Sequence, residues 1–114
     1  MAYADPAKME YDRDRMANRR IALKRKLWDY KLAHPCVDCG ETDPVVLTFD
    51  HKDKKEGAIA NLVHNMAHQK FAWDKILAEI EKCEVRCFNC HMRRTARQLN
   101  RYKWLDDEMK KHLL

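Results

Sequence analysis

EVRCFNCHMRRTAR, residues 84–97, packs three signals into one run. Glu84–Cys87 reads as a short strand, Cys87-x-x-Cys90 as a metal-binding knuckle, and His91 to about Tyr102 as a basic helix. A matching knuckle, Cys36-x-x-Cys39, lies upstream, with 47 residues between Cys39 and Cys87. In each pair a tight turn aims two thiolates at one tetrahedral ion, so Cys36, Cys39, Cys87 and Cys90 are the expected ligands of a structural Zn²⁺. Disulfides would require an oxidising compartment, and a redox Cys-x-x-Cys would come once, within a βαβ pattern. The sequence supports neither. The fifth cysteine, Cys83, is expected to be a small buried hydrophobe on the face of Ile76 and Ile80.

Outward from the knuckles, Asp5-Pro6 reads as an N-cap followed by proline at the first helical position. Met9, Met16, Leu23 and Tyr30 recur every seven residues, with Leu27 beside them, so one narrow apolar stripe runs along a helix that stops near Ala33, ahead of Pro35. Val45–Phe49 is the best strand candidate, and 51–58 reads as loop. Residues 59–67 and 74–83 read as two shorter helices, and a last one carries Leu105, Met109 and Leu113. Trp28, Trp73 and Trp104 are expected to fill the core. The 114 residues make a single domain, 1–114. It comprises a basic N-terminal helix at 1–33, a core at 34–103 and a C-terminal helix at 104–114, in the small α+β class.

Leu, Ile, Val and Phe number 22 of 114, a thin core at the edge of what folds unaided. Zinc supplies the missing staple, because binding energy at such sites is folding energy, roughly 10–16 kcal/mol apparent. No window approaches the roughly 18 apolar residues of a membrane span. The first residues lack the basic and apolar regions of a secretion signal, so a cytoplasmic location is expected. The formal charge of +5 is unevenly spread: +4 over 1–33, −4 over 34–85, +6 over 86–103 and −1 over 104–114. Two basic stretches around an acidic middle point to a polyanion partner, with nucleic acid first.

Asp50-His51 ends the first strand candidate, and His91 follows Cys90 directly. Zinc tying the knuckles together would bring these three side chains into one strand–strand–helix unit. An Asp and a His can hold a divalent ion while a second His acts as base, the set that phosphodiester hydrolysis requires. The pattern Cys36-x2-Cys39-x10-Asp50-His51-x35-Cys87-x2-Cys90-His91-Met92-Arg93-Arg94-Thr95 resembles the HNH endonucleases of the ββα-metal fold. The resemblance covers about residues 34–97 and extends to the compact stand-alone forms found in phages and mobile elements. It implies a ββα-metal core, a catalytic Mg²⁺, Mn²⁺ or Ni²⁺ held by Asp50 and His91, His51 as general base, and products with 5′-phosphate and 3′-hydroxyl ends. If a phage carries the gene, the compartment is the host cytoplasm.

The same resemblance exposes a departure. Many members place an Asn shortly before the second knuckle to orient the base histidine; here Lys82 stands five residues before Cys87, and the sequence does not choose whether Asn61, Asn65, Asn89 or none of them takes that role. Asp50 and His51 are also neighbours, so a regular strand would point them to opposite faces unless it ends or twists there. His64 and His68 are four apart without an accompanying Glu and read as ordinary histidines. Phosphate contacts are assigned to Arg93, Arg94, Arg97 and Arg101, and to Arg19, Arg20, Lys24 and Arg25 of the first helix. DNA is the expected partner, RNA remains open, and the sequence does not choose between monomer and homodimer. A zinc-ribbon DNA-binding module without catalysis is the main alternative, and a module docking its basic helix on an acidic protein is a third.

Overall fold

The computed structural model describes residues 5–52 and 58–113. Asp5 caps α1 (Pro6–Ala33): its carboxylate accepts from the Ala7 amide at 3.0 Å, and Pro6 opens the first turn. The helix ends where Pro35 forces His34 out of helical geometry (φ −133°, ψ 83°). Of the heptad stripe, Leu23 is buried, and Met16, Leu27 and Tyr30 pack partly against the core, but Met9 is 50% exposed. The body therefore clasps α1 only from Met16 onward.

Two antiparallel strands, β1 (Leu47–His51) and β2 (Cys83–Cys87), pair with Leu47 opposite Cys87 and His51 opposite Cys83. β1 starts two residues later than the composition predicts. Asp43 caps the Val45 amide at 2.9 Å, and Pro44 opens a single 3₁₀ turn over Pro44–Val46, which uses up the first β-branched residues. The connection carries α2 (Ile59–Met66) and α3 (Ala72–Ile80). Part of the expected loop at 51–58, residues 53–57, lies outside the described residues. α3 is shorter than predicted because Cys83 belongs to β2, opposite His51, and not to the helix face.

α4 (Phe88–Gln98) follows β2 with no linker. It starts earlier than predicted because the knuckle turn is its first turn: Cys87 is the N-cap, and its sulfur accepts from the Cys90 amide at 3.5 Å. It also stops earlier. Asn100 takes a left-handed conformation (φ 50°), and the Arg101 amide donates back to the Ala96 carbonyl at 2.9 Å, a helix stop for which Asn is suited. Among the described residues the C-terminal segment forms only α5 (Asp107–Lys110), whose Met109 is exposed, as is Leu113 beyond it.

Among the described residues, two apolar clusters result. One joins Leu23 of α1 to Ile59, Val63, Ile76 and Ile80 of the inserted helices; the other joins Leu47 and Val85 of the sheet to Cys36, Cys87 and Cys90. Tyr30 and Phe49 pack against both, their rings 5.8 Å apart. Trp73 packs on the first cluster as expected, but Trp28 is exposed and Trp104 is 72% exposed, so neither fills the core. Among the described residues, no helix is long and apolar enough to cross a membrane.

Ile76 is fully buried at the centre of the helical cluster. Ile76→Ala should cost about 2–5 kcal/mol in urea unfolding, as buried Ile truncations do. Met9→Ala should stay within about 0.5 kcal/mol. Equal losses at the two positions would mean that α1 packs along its whole length.

Candidate functional site

The side-chain donors of Cys36, Cys39, Cys87 and Cys90 all lie within 4.8 Å of one another. Gly40, with φ 80°, closes the first knuckle, its amide donating to the Cys36 carbonyl at 2.9 Å. The Val37 amide donates to the Val85 carbonyl at 2.9 Å, which seats that knuckle on the free edge of β2. Cys39 and Cys87 sulfurs stand 3.7 Å apart. A tetrahedron of zinc–sulfur bonds of about 2.3 Å has edges of about 3.8 Å. The cluster can therefore hold a structural metal such as zinc.

The four thiols are unequal. Burial opposes ionisation of Cys36, but backbone hydrogen bonding from Cys87, Cys39 and Asp38 outweighs it and brings the thiol down to about 6. Cys90 is pushed up to about 12 by its contact with the Cys87 sulfur and by burial. Cys83 stands apart from the cluster: its sulfur donates to the Glu79 carbonyl at 3.5 Å. Burial, with the charges of Glu79 and Asp50, pushes this thiol up to about 11, so it stays protonated. It is only partly buried, at a strand end.

Beside the cluster, Asp50 is buried on β1. Its Oδ2 accepts from Arg86 at 3.1 Å and Arg94 at 2.9 Å, while Oδ1 faces His91 Nε2 at 3.4 Å. Thr48, on the same strand face, fixes the His91 tautomer. Its hydroxyl donates to the Arg86 carbonyl at 2.8 Å, so its oxygen is left to accept from His91 Nδ1–H, also at 2.8 Å. In the neutral ring Nε2 is then the bare nitrogen, and a lone pair can face a carboxylate oxygen only with a cation between them; without one, the 3.4 Å approach suits an imidazolium donating to Asp50. Two ligands about 2.1 Å from one ion lie about 3.0–3.4 Å apart in octahedral or tetrahedral geometry, so the pair fits a cation between them. Arg86 also holds Asp38 at 2.8 Å and pairs with Glu84. Burial disfavours its charge, but Asp38 and Glu84 outweigh that and hold it above the ordinary arginine value.

His51 goes the other way. Its Nε2 meets Oε1 of Glu79, from α3, at 2.9 Å, both side chains being about nine-tenths buried. Burial works against the Glu79 charge, yet hydrogen bonds to Lys82 and His51 outweigh it and keep the carboxyl below its usual range. Asp50 and His51 thus use opposite faces, as strand alternation requires. Because β1 ends at His51, both still line one cavity of about 730 Å³, together with Thr48 and His91.

The predicted basic residues separate into two groups. Arg93, Arg97 and Arg101 are exposed, as are Lys24 and Arg25. Arg94 is tied to Asp50 and the His51 carbonyl. Arg19 and Arg20 bond the carbonyls of His68 and His64 at 3.1 and 3.4 Å, clamping α1 onto α2 and its C-terminal end. Asn61, Asn65 and Asn89 are exposed and make no hydrogen bond to His51. Glu79, Thr48 and Arg86 were not anticipated. Glu79 left a trace, an acid three residues after Ile76 and one before Ile80, on the stripe that faces the core. No protein-family model, no curated protein and no solved structure matches the chain.

One zinc per chain should resist dialysis, with Cys36→Ser or Cys90→Ser losing both metal and fold and Cys83→Ser losing neither. Thiols held high, as at Cys90, must release protons to bind, so metal affinity should fall as pH falls. Zinc titration across a pH series checks the sign; affinity that rises on acidification would exclude thiolate ligation.

Proposed function

We propose that this chain is an HNH-type endonuclease or nickase that hydrolyses DNA phosphodiester bonds. The observation that carries the reading is the pairing of a buried carboxylate oxygen with an imidazole whose free nitrogen is set by Thr48, on a cavity that His51 also lines. Asp50 and His91 would hold the divalent ion, Mg²⁺, Mn²⁺ or Ni²⁺. When bound, such an ion supplies positive charge to the phosphate and the departing oxygen. His51 takes the proton of the attacking water. The exposed Arg93 and Arg97, on α4 beside the site, contact backbone phosphates, and Arg101 extends that surface. The four-cysteine cluster holds structural zinc and fixes the start of α4, and with it His91. The ββα-metal reading rests on β1, β2 and α4 standing in that order around the constellation.

A zinc-binding DNA module without catalysis is the second reading, favoured by one observation: Arg86 and Arg94 already neutralise Asp50. Supercoiled plasmid incubated with each divalent ion separates the two, and absence of nicking with all of them selects the module.

His51→Ala should slow nicking about 10²–10⁴-fold, the usual share of a general base, with affinity for the ion and DNA intact. His91→Ala should instead weaken ion binding in calorimetry, and excess ion should partly restore cleavage. The reverse pattern would exchange the two roles.

DNA affinity should fall steeply with salt. Arg97→Ala should flatten the salt slope by about one unit on unrelated sequences, as loss of one phosphate contact does. Loss confined to one sequence would make Arg97 a reader of bases.

A further inference from the structure

We infer that Glu79 is the positioning residue of His51, doing from α3 what an asparagine before the second knuckle does in the family this chain resembles; the inference rests on the nuclease reading above. The 2.9 Å contact joins residues 28 apart in sequence and is nine-tenths shielded from water at both ends. Nε2 can meet a carboxylate oxygen only as a donor, so in the neutral ring it carries the one proton and leaves the Nδ1 lone pair free to act. Nδ1 has no hydrogen-bond partner among the described residues.

Glu79 is itself held. Its second oxygen accepts from Lys82 at 3.2 Å, and Lys82 occupies the position where the asparagine was sought. Its backbone is anchored between Ile76 and Ile80 in the helical cluster. Through this one carboxylate, α3 fixes which nitrogen of His51, a residue that lines the cavity, is bare.

In the hydrolytic step, the water oxygen bonds to phosphorus and passes a proton to His51 Nδ1. The bond from phosphorus to the 3′ oxygen breaks, and that oxygen takes a proton from solvent. A wrong tautomer would present N–H in place of the lone pair and stop the step before it starts.

The test combines imidazole NMR with steady-state nicking on the full zinc-loaded chain. In wild type, ¹⁵N shifts should show His51 protonated on Nε2 and bare on Nδ1. In Glu79→Gln, whose amide can either donate or accept, the two tautomers should mix. That variant should lower kcat about 10–10³-fold with KM, DNA affinity and zinc content unchanged. Glu79→Asp keeps the charge but shortens the reach, and should fall between. His51→Ala combined with Glu79→Gln should be no slower than His51→Ala alone, because a positioning residue has nothing left to position. Nδ1 protonation in wild type, an unchanged kcat in a folded Glu79→Gln, or losses that multiply in the double variant would each overturn the assignment. A wild-type chain that nicks nothing yet shows the Glu79-dependent tautomer would overturn the nuclease reading and leave the pairing standing.

Discussion

Four cysteine sulfurs drawn from two turns far apart in sequence converge on one point where a structural metal can be held. Their convergence seats the first knuckle on β2 through the Val37–Val85 hydrogen bond and makes the second knuckle the opening turn of α4. With so few large aliphatic residues, the sheet cannot define these positions by burial alone. The side chains of Thr48, Asp50 and His91 meet because β1 pairs with β2 and His91 lies in the first turn of α4, one residue past Cys90. The cysteine cluster, which can hold a structural metal, sits beside two small apolar clusters that Tyr30 and Phe49 join.

Around that cluster the charges are arranged in depth. Asp50 and Arg86 are both buried, and Arg86 reaches three carboxylates. Breaking such a network by removing one partner leaves an uncompensated charge, which is far more disruptive than losing a surface pair. Arg93 and Arg97, one residue or one turn away from Arg94, carry no such obligation. Adjacent arginines in the same basic run thus do different work: one is part of the interior, and its neighbours face outward.

Much of this was legible in the sequence. The cap at Asp5, the stop before Pro35, both knuckles and the order of strands and helices follow from local chemistry, and the structure keeps them. The misses share a cause. The displaced start of β1 came from Pro44 acting as a helix opener, and the early end of α4 from Asn100 turning left-handed; both are single-residue events that outweigh the average preference of their neighbours. Cys83 left its helix for a ladder position, which strand pairing fixes and helical periodicity cannot. The basic residues were sorted by sign, and sign says nothing of which carbonyl or carboxylate lies within reach. Glu79 needed the fold itself, because its partner sits 28 residues away in sequence.

The partial seating of α1 gives the molecule a gradient of local stability. Turns before Met16 bury no core side chain, whereas Leu23 lies against the inserted helices and Tyr30 against both those helices and the sheet. Opening the first two or three turns exposes little apolar surface and breaks no long-range hydrogen bond among the described residues, so their amides are expected to exchange by local fraying. Amides around Leu23 open only when the helical cluster does. One continuous helix therefore spans two regimes of exchange, with the boundary at the Arg19 and Arg20 clamp, where side chains from α1 occupy backbone carbonyls at His68 and His64.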